Sequence, residues 1–250
     1  MTSTNAKDAV HIRWSAGRDE RAATPRSALA TLAPRPADYD PVERLRWQGE
    51  RRVAPLLPLR YQRMLDSPLA FFRGAALLMS DDLARSPRTA LEVQIAGDAH
   101  LSNFGIFSSP ERRLVFDVND FDETDKGPFE WDVKRLAASL AIACEELGGD
   151  EQHQSEVVID AAKEYQRSIR RFAQESRLDV WYASLDVESI LVELRSFFTD
   201  AALRNVGDVI SRAKSKESTQ RFNEMITYSD DGPRIKSRPC LLYTSPSPRD

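Results

Sequence analysis

The chain is poor in the residues on which several kinds of functional site depend. Its 250 residues include only 2 cysteines, 3 histidines and 10 glycines. Two cysteines, Cys144 and Cys240, make a disulfide framework improbable, which fits a reducing cytoplasm. No apolar run approaches the roughly 20 residues that span a bilayer, and no secretory signal precedes the first charged residues, so no membrane partner is predicted.

The composition of the chain is sufficient to bury a hydrophobic core. Hydrophobic residues make up 41% of the sequence and charged residues 30%, as in soluble globular proteins. The net charge of −4 gives no reason to expect nucleic acid as a partner.

Polar residues follow a first predicted strand, Leu91 to Ile95, in which apolar and polar residues alternate up to Gly97. Asp98, His100 and Asn103 come directly afterwards. Asp98 and Asn103 have the spacing of the catalytic Asp and the metal-binding Asn in kinase catalytic loops. The carboxylate can accept a hydroxyl proton, and the amide oxygen can bind Mg²⁺.

Acidic residues follow a second predicted strand, Arg113 to Phe116. Asp117 terminates this strand and is predicted to bind Mg²⁺, because this hard cation prefers oxygen ligands. Asp120 is a further candidate metal ligand, but the pattern leaves its role, and that of Asp122, open. The remaining acidic residues are typical of a solvated turn that ends at Gly127-Pro128: Glu123 and Asp125.

The order of these segments, strand, G-D-x-H-x-x-N, strand, F-D-x-x-D and a helix that opens with Trp131-Asp132, resembles the aminoglycoside-phosphotransferase and protein-kinase-like superfamily. The resemblance implies that Asp98 is catalytic and that Asn103 and Asp117 bind Mg²⁺. It also implies that Asp132 braces the catalytic loop and that His100 supports it. The cofactors would be Mg²⁺ and ATP, and the partners a nucleotide and an unidentified small-molecule or protein acceptor.

Four segments carry a more specific resemblance to DUF2252, a bacterial family of unknown function: SPLAFFRGAALLM, QIAGDAHLSNFG, LVFDVNDFDET and GPFEWDVKRLAAS. The match is expected from about Arg60 to Pro239. Membership of this family names no substrate.

Several alternatives stay open at this point. Arg73 could bind a nucleotide phosphate or could pair with a loop aspartate as a brace. Asp98-x-His100 also resembles the G-D-x-H signature of metallophosphoesterases, but their dinuclear sites draw on several histidines. A binding module of the pseudokinase type, without phosphoryl transfer, is the non-enzyme alternative.

The predicted fold is helix-rich α+β, with a kinase-like segment of short strands followed by a helical bundle. Residues 1–40 are expected to be a disordered leader and 41–239 a partial domain. Helix starts are predicted at Asp40-Pro41 and Ser67-Pro68. Longer helices are predicted over 131–147, 151–177 and 187–216, with 178–184 irregular.

The last residues, 240–250, have no hydrophobic period and resemble the translation of a sequencing-library adapter, so we expect a non-native tail and an incomplete domain. No G-x-G-x-x-G loop or phosphate-binding Lys is found before Asp98, although kinase-like enzymes need both. The resemblance to DUF2252 implies that a nucleotide-gripping segment follows residue 239, and the 250-residue chain is expected to be inactive or nearly so.

Overall fold

The computed structural model describes residues 6–109, 113–185, 187, 210, 226–229 and 232–235. The chain divides into two compact units. The first comprises Met1–Gly105 and Val118–Ala183, and the second comprises Ile106–Asp117 and Ser184–Asp250. The predicted helices over 187–216 and the tail 240–250 lie almost entirely outside the described residues.

Helices dominate the first unit, and the α+β class predicted from the sequence is confirmed. Five helices precede the first strand: α1 (Ala6–Ala23), α2 (Pro41–Gly49), α3 (Leu57–Met64), α4 (Pro68–Gly74) and α5 (Ala76–Arg85). Three follow the last strand of this unit: α6 (Glu130–Glu146), α7 (Glu151–Phe172) and α8 (Arg177–Tyr182). Among the described helices, none is long and apolar enough to cross a bilayer.

Within the described residues, the strands are short and form three two-stranded sheets. β1 (Glu92–Ile95) pairs with β4 (Asp125–Pro128) in an antiparallel ladder. β2 (Phe104–Ser108) pairs with β3 (Leu114–Val118), and β5 (Ile226–Ser229) pairs antiparallel with β6 (Gly232–Ile235).

Two predicted helix starts are confirmed by their capping contacts. Asp40 accepts hydrogen bonds from the backbone N–H groups of Val42 and Glu43, with Pro41 in the first turn of α2. Ser67 accepts one from Ala70 N–H, with Pro68 opening α4. Both caps satisfy donors that a helix start leaves unpaired.

The structure differs from the sequence expectation at three places. Residues of the expected leader form α1, because Ala, Arg and Glu favour helix. The expected irregular segment contains α8, whose first turn is capped by Ser176, which accepts from Asp179 N–H. The expected turn ending at Gly127-Pro128 is β4, which pairing with β1 stabilises despite a poor strand composition.

A small apolar core lies where the early helices meet. Met64 of α3, Leu78 of α5 and Ala75, the residue before α5, are buried, and Tyr39 and Tyr61 pack against them among other side chains. This core packs against the end of α4, since Met64 lies against Gly74, and α4 in turn contacts α6.

Candidate functional site

The loop that joins β1 to β2 contains three of the seven predicted site residues, and a glycine allows its first bend. Gly97 has a φ of +78°, a conformation that side chains with a Cβ rarely adopt. A Cβ at this position would also lie 2.0 Å from the carbonyl oxygen of Glu123. The bend therefore requires glycine for both conformation and space.

Three side chains on successive turns of α6 hold this loop. The Asp132 carboxylate accepts hydrogen bonds from the N–H groups of Ala96 (2.7 Å) and Gly97 (3.0 Å). Ser139, with no exposed surface, accepts a 2.8 Å bond from Leu101 N–H. Between them in sequence, Arg135 contacts Asp98. One face of one helix thus fixes both ends of the loop and its central carboxylate.

Asp98 and Arg135 form the strongest charged contact of the site. Arg135 Nε donates to Asp98 Oδ1 at 2.5 Å, and the Arg135 side chain is 3% exposed, whereas that of Asp98 is 22% exposed. Arg135 Nη2 also donates to the carbonyl oxygen of Phe72 (2.8 Å), and the guanidinium lies over the Phe72 ring. One carboxylate oxygen of Asp98 is therefore paired, while the residue stays partly accessible.

His100 lies beside the same carboxylate. Its Nε2 is 3.7 Å from Asp98 Oδ2, and its buried Nδ1 has no hydrogen-bond partner among the described residues. Burial lowers the pKa of His100 below its ordinary value; the Asp98 charge opposes this shift, and the charges of Arg135 and Arg73 add to it. A neutral imidazole is thus favoured, which suits a supporting role in the loop.

Asn103 joins the loop to the acidic segment that follows β3. Its buried side chain donates from Nδ2 to the carbonyl oxygens of Asp98 and Asp120, both at 3.1 Å. The backbone carbonyl oxygen of Asn103 accepts a 2.8 Å hydrogen bond from Asn119 N–H. Since the amide nitrogen makes both side-chain contacts, Oδ1 is the atom that remains for a ligand. Asp120 is exposed, and its Oδ1 accepts from Asp122 N–H (3.1 Å).

The first unit thus brings together Asp98, His100, Asn103, Asp120 and Asp132. Asp117 is an exposed residue of β3 and belongs to the second unit. Arg73 is exposed in the last turn of α4, and no carboxylate of a described residue lies within 4 Å of it.

Sequence reasoning missed three residues that support the loop: Glu130, Arg135 and Ser139. Glu130 is 4% exposed, and its two oxygens accept from Thr89 N–H (2.6 Å) and Thr89 Oγ1 (2.8 Å), which anchors the start of β1. An i, i+3 charged pair, Asp132 and Arg135, on the apolar side of a helix was the available signal, because charges there need buried partners.

The oxygen atoms available at and near the loop suit a hard cation better than a softer metal. Within the described ranges, no group of three or more His, Cys, Asp or Glu side chains is arranged to hold a metal ion. Mg²⁺ normally uses one or two protein carboxylates together with water and substrate phosphates. Asn103 Oδ1 and the Asp120 carboxylate fit that smaller requirement.

The segments that carry these residues belong to one family. The family model described as an uncharacterized protein conserved in bacteria, DUF2252, matches residues 52–249. The chain therefore belongs to the DUF2252 family, as predicted, and the match begins earlier and ends later than the expected range. No curated protein and no solved structure matches the chain.

Proposed function

We propose that this family catalyses phosphoryl transfer from ATP to an acceptor hydroxyl, with Mg²⁺ as the metal. The main support is the way α6 holds the loop: Asp132 binds the backbone at Ala96 and Gly97, and Ser139 binds it at Leu101. Phosphoryl transfer depends on positioning and electrostatic stabilisation more than on covalent chemistry by the protein. A loop fixed at both ends meets that need.

Asp98 is proposed to orient the acceptor hydroxyl and to accept its proton. Arg135 occupies Oδ1, so Oδ2 is the oxygen that would face the acceptor. Arg135 is a positioning residue in this scheme, because it sets the carboxylate orientation without reaching the acceptor. His100, favoured in its neutral form, supports the same oxygen at 3.7 Å without competing as a charged donor.

Asn103 and Asp120 of the first unit are proposed to hold the metal. The resemblance to the kinase-like superfamily implies a metal-binding role for Asp117 as well. Bound Mg²⁺ and ATP would supply the transferable phosphoryl group and offset its negative charge. The contact from Asn103 Nδ2 to the Asp120 carbonyl oxygen keeps the two candidate ligands of the first unit adjacent. Arg73, exposed and without a carboxylate partner among the described residues, is available for a phosphate.

One observation favours a second candidate function, binding without transfer. The Asp98 carboxylate is paired with a buried guanidinium, which could make it a structural residue rather than a base. In that case the protein would bind Mg²⁺ and nucleotide but would not catalyse phosphoryl transfer.

A thermal-shift titration of the protein with ATP and Mg²⁺ tests the proposal. A ligand that binds the folded state raises the melting temperature by mass action. We expect a Mg²⁺-dependent rise that is lost in Asp117→Asn and Asp120→Asn. Asp125→Asn, in the same acidic segment, is the matched control and should keep the rise.

Phosphorus NMR of the same samples separates the two functions. Slow transfer of the γ-phosphoryl group to water, seen as ADP and inorganic phosphate and abolished by Asp98→Asn, would support transfer, whereas binding with no such products would favour the binding module. No melting rise with any nucleotide would overturn both.

A further inference from the structure

A cavity of about 590 Å³ lies between α1, α6 and α7, within the first unit. Its walls are mainly apolar and include Leu91, Phe129 and Ile169. None of its described lining residues comes from the loop 96–103, so it is separate from the candidate catalytic residues. Its size falls in the range of cavities that hold small organic ligands.

At this cavity the carboxylates have hydrogen-bond partners, whereas the cationic side chains have no carboxylate partner among the described residues. Its two carboxylates already accept hydrogen bonds: Glu20 from Ala90 N–H at 2.7 Å, and Glu130 from Thr89. Four cationic side chains also line it, and no carboxylate of a described residue lies within 4 Å of any of them: Arg21, Arg26, Lys134 and Arg170. Among the described lining residues, cationic side chains therefore outnumber carboxylates, four to two, beside an apolar wall.

Lys134 is the one lysine among these four cationic side chains. It lies on α6, one turn after Glu130, and is half-buried. Burial lowers the pKa of Lys134, and the Glu130 charge only partly opposes this, because burial removes water from the ammonium group. A bound anion would restore the lost solvation energy, so the site should favour negatively charged ligands.

We propose that this cavity binds a small amphipathic anion, a molecule with an apolar chain or ring and one carboxylate or phosphate group. The apolar part would lie against Leu91, Phe129 and Ile169, and the anionic group would contact Lys134 and the nearby arginines. Arginine and lysine bind both head groups, as bidentate and point-charge partners respectively. The inference does not depend on phosphotransferase activity.

Calorimetric titration tests the proposed anion binding. The 250-residue chain is titrated at pH 7 with three ten-carbon ligands: decanoate, decyl phosphate and 1-decanol. We expect saturable binding of at least one anion, with 1-decanol about tenfold weaker or more, since a hydrogen bond to a charged group is lost. The stronger anion identifies the preferred head group. Equal binding of 1-decanol, or no saturable binding of either anion, would overturn the proposal.

Two variants and one control locate the site. Lys134→Met should weaken anion binding about tenfold and leave 1-decanol unchanged. Ala162→Phe, at an exposed lining position, should reduce the binding of all three ligands by filling the cavity. Lys163→Met removes an exposed α7 lysine that pairs with Asp160 at 3.0 Å and should change nothing. If Lys134→Met fails to fold, unchanged binding in a folded Ala162→Phe protein would still overturn the site.

Discussion

Arg135 is the residue on which the arrangement of Asp98 depends most directly. It is 2% exposed, and its contacts join α6 to Asp98 and to the end of α4 at Phe72. A buried guanidinium is costly to desolvate, and this cost is offset only while its partners stay in place. Its removal should therefore affect both stability and the geometry of the loop.

We predict that Arg135→Met lowers the free energy of unfolding by about 2–4 kcal/mol, somewhat less than a fully buried pair because Asp98 is partly solvated. Urea denaturation measures the loss. Arg167→Met, which breaks an exposed pair with Glu164 at 3.1 Å on α7, is the control and should cost about 0–1 kcal/mol. Equal losses in the two variants would contradict a buried structural role for Arg135.

His100 should make stability depend on pH on the acid side. Because burial lowers its pKa below 6.5, the unfolded chain binds a proton at a higher pH than the folded chain does. The stability that neutral His100 contributes is thus present above pH 6.5 and is lost as the pH falls below it. Its slope cannot exceed about 1.4 kcal/mol per pH unit for one proton.

The free energy of unfolding can be measured between pH 5 and 8, a range that brackets the titration of an ordinary histidine. It should fall less steeply towards acid pH in His100→Gln than in the unchanged protein. His153→Gln is the control, because a hydrogen bond with Asp150 raises the pKa of His153, and its contribution is lost as pH rises instead. An acid-side slope that His100→Gln leaves unchanged would show that other groups cause it.

At the scale of elements, the bend after β1 should tolerate a side chain at Gly97 poorly. Gly97 and Gly148 both have positive φ, +78° and +86°, but only Gly97 has another residue's backbone against it. A comparison of the two therefore separates conformational strain from steric conflict.

We expect Gly148→Ala to cost about 1 kcal/mol from strain alone, since nothing lies within 4 Å of its added Cβ. Gly97→Ala should cost clearly more and should displace the loop or Glu123, because the carbonyl oxygen cannot remain 2.0 Å from the new atom. Thermal unfolding measures both variants. Similar melting temperatures would mean that the segment at Glu123 moves freely.

The elements also show what a sequence pattern can predict. The starts of α2 and α4 were predictable because Asp40-Pro41 and Ser67-Pro68 act locally. β4 was not, because Asp-Lys-Gly-Pro disfavours a strand and only pairing with β1 across the intervening chain stabilises it. Arg135 was overlooked for the same reason: its partners, Asp98 and Phe72, are distant in sequence.

At the scale of the whole molecule, the first unit should not be equally stable throughout. α6 contacts α4, α5, α7 and the loop, whereas α1 exposes most of its described side chains, including Trp14. Local opening costs least where few buried contacts are lost.

Hydrogen exchange should therefore be slowest in α6 around Arg135 and Ser139 and fastest in α1. Mass spectrometry of peptides from the two helices checks this directly. Comparable protection of α1 would indicate that it is held by more contacts than those described.

The contacts that hold the loop have a further consequence for synthesis. Ala96 lies 36 residues before Asp132, its partner on α6, and Thr89 lies 41 residues before Glu130. Ribosomes add about 5–20 residues per second, so the loop leaves the ribosome about 2 to 8 seconds before the helix that orders it. Throughout that interval the nascent chain carries Asp98 without Arg135, and a chaperone that binds this segment would act before the site can form.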